Sequence, residues 1–149
     1  MATTLPPPTA RIGRHPLHAA LAQFPFVCFT AALVTDIAYM NTASMQWETM
    51  SVWLITGGLV VAAFAVLAGI VDAFASRGMR RARSGWLHAI GTIVALVLAI
   101  VNAFVHSRDG YTSVVPTGLT LSILVVAILA ISNWWGAELS ARQTVGDRR

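Results

Sequence analysis

Histidines stand at both ends of the stretch His88–His106, in which no residue carries a full charge at neutral pH. Its small and polar residues are His88, Thr92, Ala95, Ala99, Asn102 and His106. Steps of four and three place them on one face of an α-helix. A second row, His18, Ala22, Pro25, Phe29, Ala32 and Asp36, has the same steps. Imidazoles and carboxylates inside an apolar helix can do two kinds of chemistry. They can trade a proton through a hydrogen bond, or they can present nitrogen to a metal or haem iron. The costs of burying such groups in a membrane mean that they face a partner, a cavity or a cofactor.

The elements that must carry these rows are membrane spans. The chain has 149 residues, of which 56% are hydrophobic and 11% charged. Soluble domains carry roughly 25% charged residues. The faces around the His88–His106 stripe are Val, Ile, Leu and Phe, as on a lipid-exposed helix that packs inward through one small and polar row. At 1.5 Å rise per residue the two histidines are about 27 Å apart, close to the thickness of the hydrocarbon layer. The pattern predicts an all-α, four-helix transmembrane bundle, running up-down-up-down, with spans at about 16–40, 49–76, 86–106 and 117–139. These lie in one membrane domain over 15–141, between a mobile tail over 1–14 and a short tail over 142–149. An N-terminal secretory signal is the weaker alternative, because Pro25 and Asp36 interrupt the first apolar run.

Each span has an inner row. In the second it is Gly58, Ala62, Ala65, Gly69 and Asp72, which places Asp72 toward protein rather than lipid. In the fourth it is Gly118, Ser122, Val125, Leu129, Ser132 and Gly136, with Trp134 and Trp135 as interfacial anchors. Pro25 is expected to kink the first span. His18 and His88, like Asp36 and His106, are separated by one common offset. Only the dipeptide His-Ala matches well at that offset, so the sequence alone supports no tandem repeat.

All ten basic residues are arginines and none lies inside an apolar run. Both tails and the 77–84 loop hold nine of them, and Arg108 alone lies in the other loops. That split points to lipid-side topology, not to nucleic acid, with both termini cytoplasmic in a bacterial inner membrane. Lone Cys28 excludes an intrachain disulfide and a multi-cysteine metal site. No Walker loop, Gly-x-Ser-x-Gly elbow or His-Glu-x-x-His motif occurs, so hydrolase and nucleotide chemistry have no support and no catalytic activity is expected of the chain alone.

The topology sets the depth of each polar group. His15, His18, Asp72, His88 and Glu138 gather toward the arginine-rich side. Asp36, Tyr39, Asn102, His106 and Asp109 gather toward the other. At the first side two readings stand. Asp72 accepts a hydrogen bond from His88 and pins the bundle, or His18 and His88 bind haem iron, with arginines of the 77–83 segment pairing its propionates. At the second side His106 is expected as an interfacial histidine capped by Asp36 or Asp109. The middle is too apolar for a continuous proton or ion relay.

With these residues in view, the chain resembles the bacterial domain-of-unknown-function family 2231, small four-helix membrane proteins. The resemblance covers about residues 15 to 146. It rests on His15-Pro16-Leu17-His18, Phe24-Pro25, Asp36, Gly69-x-x-Asp72, Gly85-Trp86-Leu87-His88 and Trp135-Gly136-Ala137-Glu138-Leu139, followed by Gly146. Such proteins often end in Gly-Gly-Glu-Leu with a histidine shortly after. Here the neighbourhood continues to Gln143 without a histidine. The resemblance implies a membrane protein that in some cases accompanies periplasmic sugar or aldehyde dehydrogenases. The expectation is therefore a small redox subunit, holding b-type haem through His18 and His88 or contacting quinone, that serves a partner dehydrogenase or respiratory complex. A cofactor-free membrane anchor or assembly subunit is the alternative, and a small transporter is third.

The arginine split yields the first prediction. Phosphatase fused to the C-terminus will be inactive in intact cells, because that end stays in the cytoplasm. An active periplasmic fusion would overturn the orientation.

Overall fold

The computed structural model describes residues 11–12, 15–75, 83–108 and 114–147. Four long helices make up nearly all of it. They are α1 (Leu17–Thr42), α2 (Met45–Ala75), α3 (Arg83–His106) and α4 (Leu119–Asp147), the last entered through a π-helical turn at Val114–Gly118. A two-residue antiparallel bridge, β1 (Arg11–Ile12) with β2 (His15–Pro16), precedes α1. All four helices are long and apolar enough to cross a membrane. Even α3, with 24 residues, is about 36 Å long. Val27, Val34, Phe64, Leu67, Ile93, Val97, Phe104 and Ile131 are exposed around the outside. In water such a surface would be a liability, whereas in lipid it is what a span requires.

The expected spans differ from these helices at their ends. The second begins four residues earlier than expected, at Met45, so its link to α1 shrinks to Ala43 and Ser44. Ala43 adopts a left-handed conformation (φ 51°) and its N–H donates to the Tyr39 carbonyl at 2.7 Å, which closes the end of α1. The fourth helix continues to Asp147. The tail over 1–10, Arg77, Arg80, Arg81 and Asp109 lie outside the described residues.

Polar side chains along the spans answer their own helix. Thr30 donates to the Phe26 carbonyl, Thr42 to Ala38 and Thr120 to Pro116, each at 2.8 Å. No water is at hand in hydrocarbon, so this bond one turn back is the cheapest partner. The inner rows assemble as a square. α1 packs chiefly along α2 and α3 along α4, while α1 also meets α4 and α2 meets α3. Therefore α1 and α3 face each other across the diagonal. The core at mid-depth is Phe29, Ala32, Ile55, Ala95, Ala99, Val125 and Leu129. It lies on the expected rows, save Ile55.

Gly58 sets the approach of α2 to α1. A Cβ placed there would lie 2.9 Å from Cε1 of Phe29 and 3.0 Å from Cβ of Cys28. Gly58→Val should therefore cost about 1–3 kcal/mol of stability by forcing these helices apart. Detergent-induced unfolding of the purified protein measures this, and a variant as stable as wild type would contradict the close-packed seam.

Candidate functional site

Two polar stations occupy opposite ends of the diagonal between α1 and α3. At the first, Asp36 of α1 has no exposed surface. Its Oδ1 accepts the Ser51 hydroxyl of α2 at 2.5 Å and lies 3.0 Å from Nε2 of His106 on α3. Its Oδ2 accepts the Ser122 hydroxyl of α4 at 2.5 Å. One carboxylate thus collects a group from each of the other helices. Ser122 in turn accepts from Nδ2 of Asn102 at 2.8 Å, and the Thr35 and Ser51 hydroxyls are 2.6 Å apart.

The protons of this station can be counted. His106 Nδ1 lies 3.0 Å from the Asn102 carbonyl, which can only accept, so Nδ1 carries a hydrogen. One further proton then lies between Asp36 Oδ1 and His106 Nε2. On either atom the pair is neutral overall, which makes its complete burial tolerable. Neither imidazole nitrogen is left over to bind a metal. The station can hold a proton and it ties four helices together.

Of the expected groups, Asp36, Asn102 and His106 are brought together here, and Asp36 is the partner of His106. Sequence reasoning missed Thr35, Ser51 and Glu48. Glu48 is buried, and its Oε2 and Asn102 Oδ1 have no hydrogen-bond partner among the described residues. The signal was present. The row Gly58, Ala62, Ala65, Gly69, Asp72 extends backward in the same steps through Ile55 and Ser51 to Glu48. Starting that row at Gly58 left its first three positions unread.

At the other end His18 of α1 and His88 of α3 meet edge to face, with ring centroids 5.9 Å apart and planes at 76°. Nδ1 of His18 is 2.8 Å from the Ala65 carbonyl of α2, and Nδ1 of His88 is 2.9 Å from the Ser132 carbonyl of α4. Carbonyls only accept, so both Nδ1 atoms carry hydrogen and both Nε2 atoms keep a lone pair. Neither Nε2 has a hydrogen-bond partner among the described residues. Each ring lies on a glycine of the same neighbouring helix. A Cβ at Gly69 would sit 2.9 Å from His18 Nδ1, and one at Gly136 would sit 3.0 Å from His88 Nδ1.

The two arrangements are the same device used twice. Between α1 and α3 the offsets 88 − 18 and 106 − 36 are both 70; between α2 and α4 the offsets 132 − 65 and 136 − 69 are both 67. Each hairpin presents a histidine from its first helix onto a carbonyl and a glycine one turn further along its second helix. Equivalent residues then meet across the centre, His18 with His88 and Asp36 with His106. The offset noticed in the sequence is thus matched by a structural repeat.

The expected bond between Asp72 and His88 is replaced. His88 gives its Nδ1 hydrogen to Ser132, while Asp72 is buried toward protein as expected and has an interaction of its own. Glu138 is exposed, also with an interaction of its own. The His15 side chain lies outside the described residues.

His18 and His88 share a cavity of about 40 Å³ with Ala22, Pro25, Thr92 and Asn133. Two nitrogens with their opposite ring edges tied to carbonyls are a suitable donor set for iron. The room is another matter. A porphyrin is many times larger than this cavity, and Phe26, Val66, Leu96 and Leu129 line the remainder. The donors fit haem b; the space between these packed helices does not.

A family model described as "Predicted membrane protein (DUF2231)" matches residues 14–149. No curated protein and no solved structure matches the chain.

The Asp36 station yields a stability prediction. Asp36→Ala removes three interhelical bonds and strands His106, Ser51 and Ser122, at a cost of about 2–4 kcal/mol. A double-mutant cycle with His106→Ala, read by detergent unfolding, should give a coupling above about 1 kcal/mol. Additive losses would mean that the two side chains do not pair.

Proposed function

This chain belongs to the DUF2231 family of predicted membrane proteins, and we propose that it is a small redox subunit of a multi-pass membrane assembly, with its centre at His18 and His88. The observation that carries this reading is that both histidines line one cavity, each fixed by a Nδ1–H bond to a neighbouring carbonyl. Metal-ligating histidines are held in this way, because the carbonyl sets the tautomer, orients the ring and raises its basicity. A histidine that only glues helices has no need to keep its second nitrogen unpaired.

The polar stations are separated by the apolar layer from Phe29 to Leu129. That layer gives protons and ions no chain of partners, so transport is disfavoured. Electron transfer asks for no such chain. In this reading the arginine split puts the histidine pair near the cytoplasmic face of a bacterial inner membrane, and a partner dehydrogenase or respiratory complex exchanges electrons with it. The residues that act are His18 and His88. Ala65 and Ser132 hold them through their carbonyls, and Gly69 and Gly136 make room for the rings.

A second reading is favoured by one observation. A cavity of about 40 Å³ is close to full packing, as a cofactor-free anchor or assembly subunit would have. Asp36 and His106 would then be its structural centre.

Reduced-minus-oxidised spectra and metal analysis of protein purified from native-like membranes separate the two. The redox reading expects a reducible centre that disappears in the His18→Gln/His88→Gln double variant while the protein stays folded. Haem bands in that difference spectrum would make haem b the occupant and require the helices to part. A featureless spectrum with no bound metal, and a double variant that still supports assembly of its partner, would leave the anchor.

A further inference from the structure

We propose that Glu48 is the port through which the buried Asp36–His106 pair exchanges its shared proton with the solution at its own end of the bundle. This makes the station a proton site with access from one side, and it stands apart from the redox reading of the other end. One proton lies between Asp36 Oδ1 and His106 Nε2, and neither side chain has any exposed surface. Inside a membrane a proton moves only along groups that can take one and release it. Each branch that leaves the pair can therefore be followed to its end.

Most branches end inside the protein. Ser122 donates to Asp36 Oδ2 and accepts from Nδ2 of Asn102, an amide that keeps its hydrogens. Ser51 donates to Asp36 Oδ1 and meets the Thr35 hydroxyl at 2.6 Å. Thr35 is itself buried and donates to the Ala32 carbonyl at 2.8 Å. His106 Nδ1 ends on the Asn102 carbonyl. Toward α4 the ring lies on Gly118, where a Cβ would be 2.7 Å from Cε1, and Val114 beside it is fully buried. Toward the other station stands the apolar layer from Phe29 to Leu129.

Glu48 is placed differently. It lies in the first turn of α2, at the water end of the helix, where Gln46 and Thr49 are exposed. It is also one turn before Ser51 on the same helix face, and Ser51 holds Asp36. The Glu48 charge acts on the His106 ring. Glu48 itself is 7% exposed, and its Oε2 is buried without a hydrogen-bond partner among the described residues. A carboxyl oxygen in that state has no bond to break before it turns toward the pair.

The other ionisable groups near this end do not serve. Tyr39 of α1 is buried with an interaction of its own. Arg108, just beyond α3, is exposed and holds its charge permanently. Among the described residues, Glu48 is thus the acidic group that stands between the pair and the end of the bundle.

The exchange balances. Glu48 takes a proton from hydronium or a buffer acid. As a carboxylic acid it gives that proton to the pair, which returns its original one to the Glu48 carboxylate. The three groups hold two protons before and after. In between, the pair carries one positive charge beside one negative charge on Glu48, so no net charge is buried.

The test is proton exchange at His106, read by nitrogen-15 and proton spectra of histidine-labelled full chain in bicelles. The His106 ring N–H signals should exchange with water roughly tenfold or more slowly in Glu48→Gln than in the wild type. Glutamine has the same shape and replaces an oxygen that has no hydrogen bond, so the ring nitrogen shifts should stay unchanged. Glu48→Asp keeps a carboxyl on a shorter arm and should recover part of the rate, which a merely structural role would not produce. Equal exchange rates in the wild type and Glu48→Gln would overturn the port. Ring shifts in Glu48→Gln that show a broken bond to Asp36 would overturn it too, by making Glu48 a packing residue.

Discussion

A carboxylate with no exposed surface, in the middle of four helices that lipid surrounds, has to be answered by donors from protein. Asp36 is answered by Ser51, Ser122 and His106, one from each of the other helices. The remaining structure depends on this requirement. In hydrocarbon the helices gain little from hydrophobic contact with one another, since lipid tails are as apolar as leucine. What brings them to one register is polar satisfaction and close packing through small residues. Asp36 fixes the rotation of α1, and with it the direction in which His18 points at the far end of the same row.

The two ends differ in how their polarity is used. At Asp36 and His106 every ring nitrogen has a partner, and the pair is neutral overall wherever its shared proton lies. Among the described residues only one nitrogen of each ring is engaged at His18 and His88. Equivalent positions of a repeated hairpin thus produce a closed pair at one end and an open pair at the other. The apolar layer between them keeps the two stations independent.

The inner rows were legible in the sequence because a membrane span offers a plain contrast. Large apolar residues face lipid, and small or polar ones at steps of three and four face protein. The rows from His88 to His106 and from Gly118 to Gly136 turn inward as their spacing requires. The start of α2 was harder to read, because Glu48 beside a charge-poor loop looks like solvent-facing sequence. Only the continuation of the row through Ser51 marks it as buried. The choice of Ser132 over Asp72 by His88 could not be read at all. A backbone carbonyl leaves no trace in residue type, and the glycine that exposes it, Gly136, carries no polarity. The repeat was hidden for a related reason. It conserves a geometry of ring, carbonyl and glycine in which the helix residues between are interchangeable apolar side chains.

The account's central claim is that His18 and His88, which line one cavity, are both held as the Nδ1–H tautomer. Nitrogen-15 spectra of histidine-labelled protein in bicelles, with metal removed, test this directly. The account predicts a protonated, hydrogen-bonded Nδ1 and an unprotonated Nε2 for both residues, assigned by losing each signal in the single variants. An Nε2–H tautomer at either histidine would contradict it.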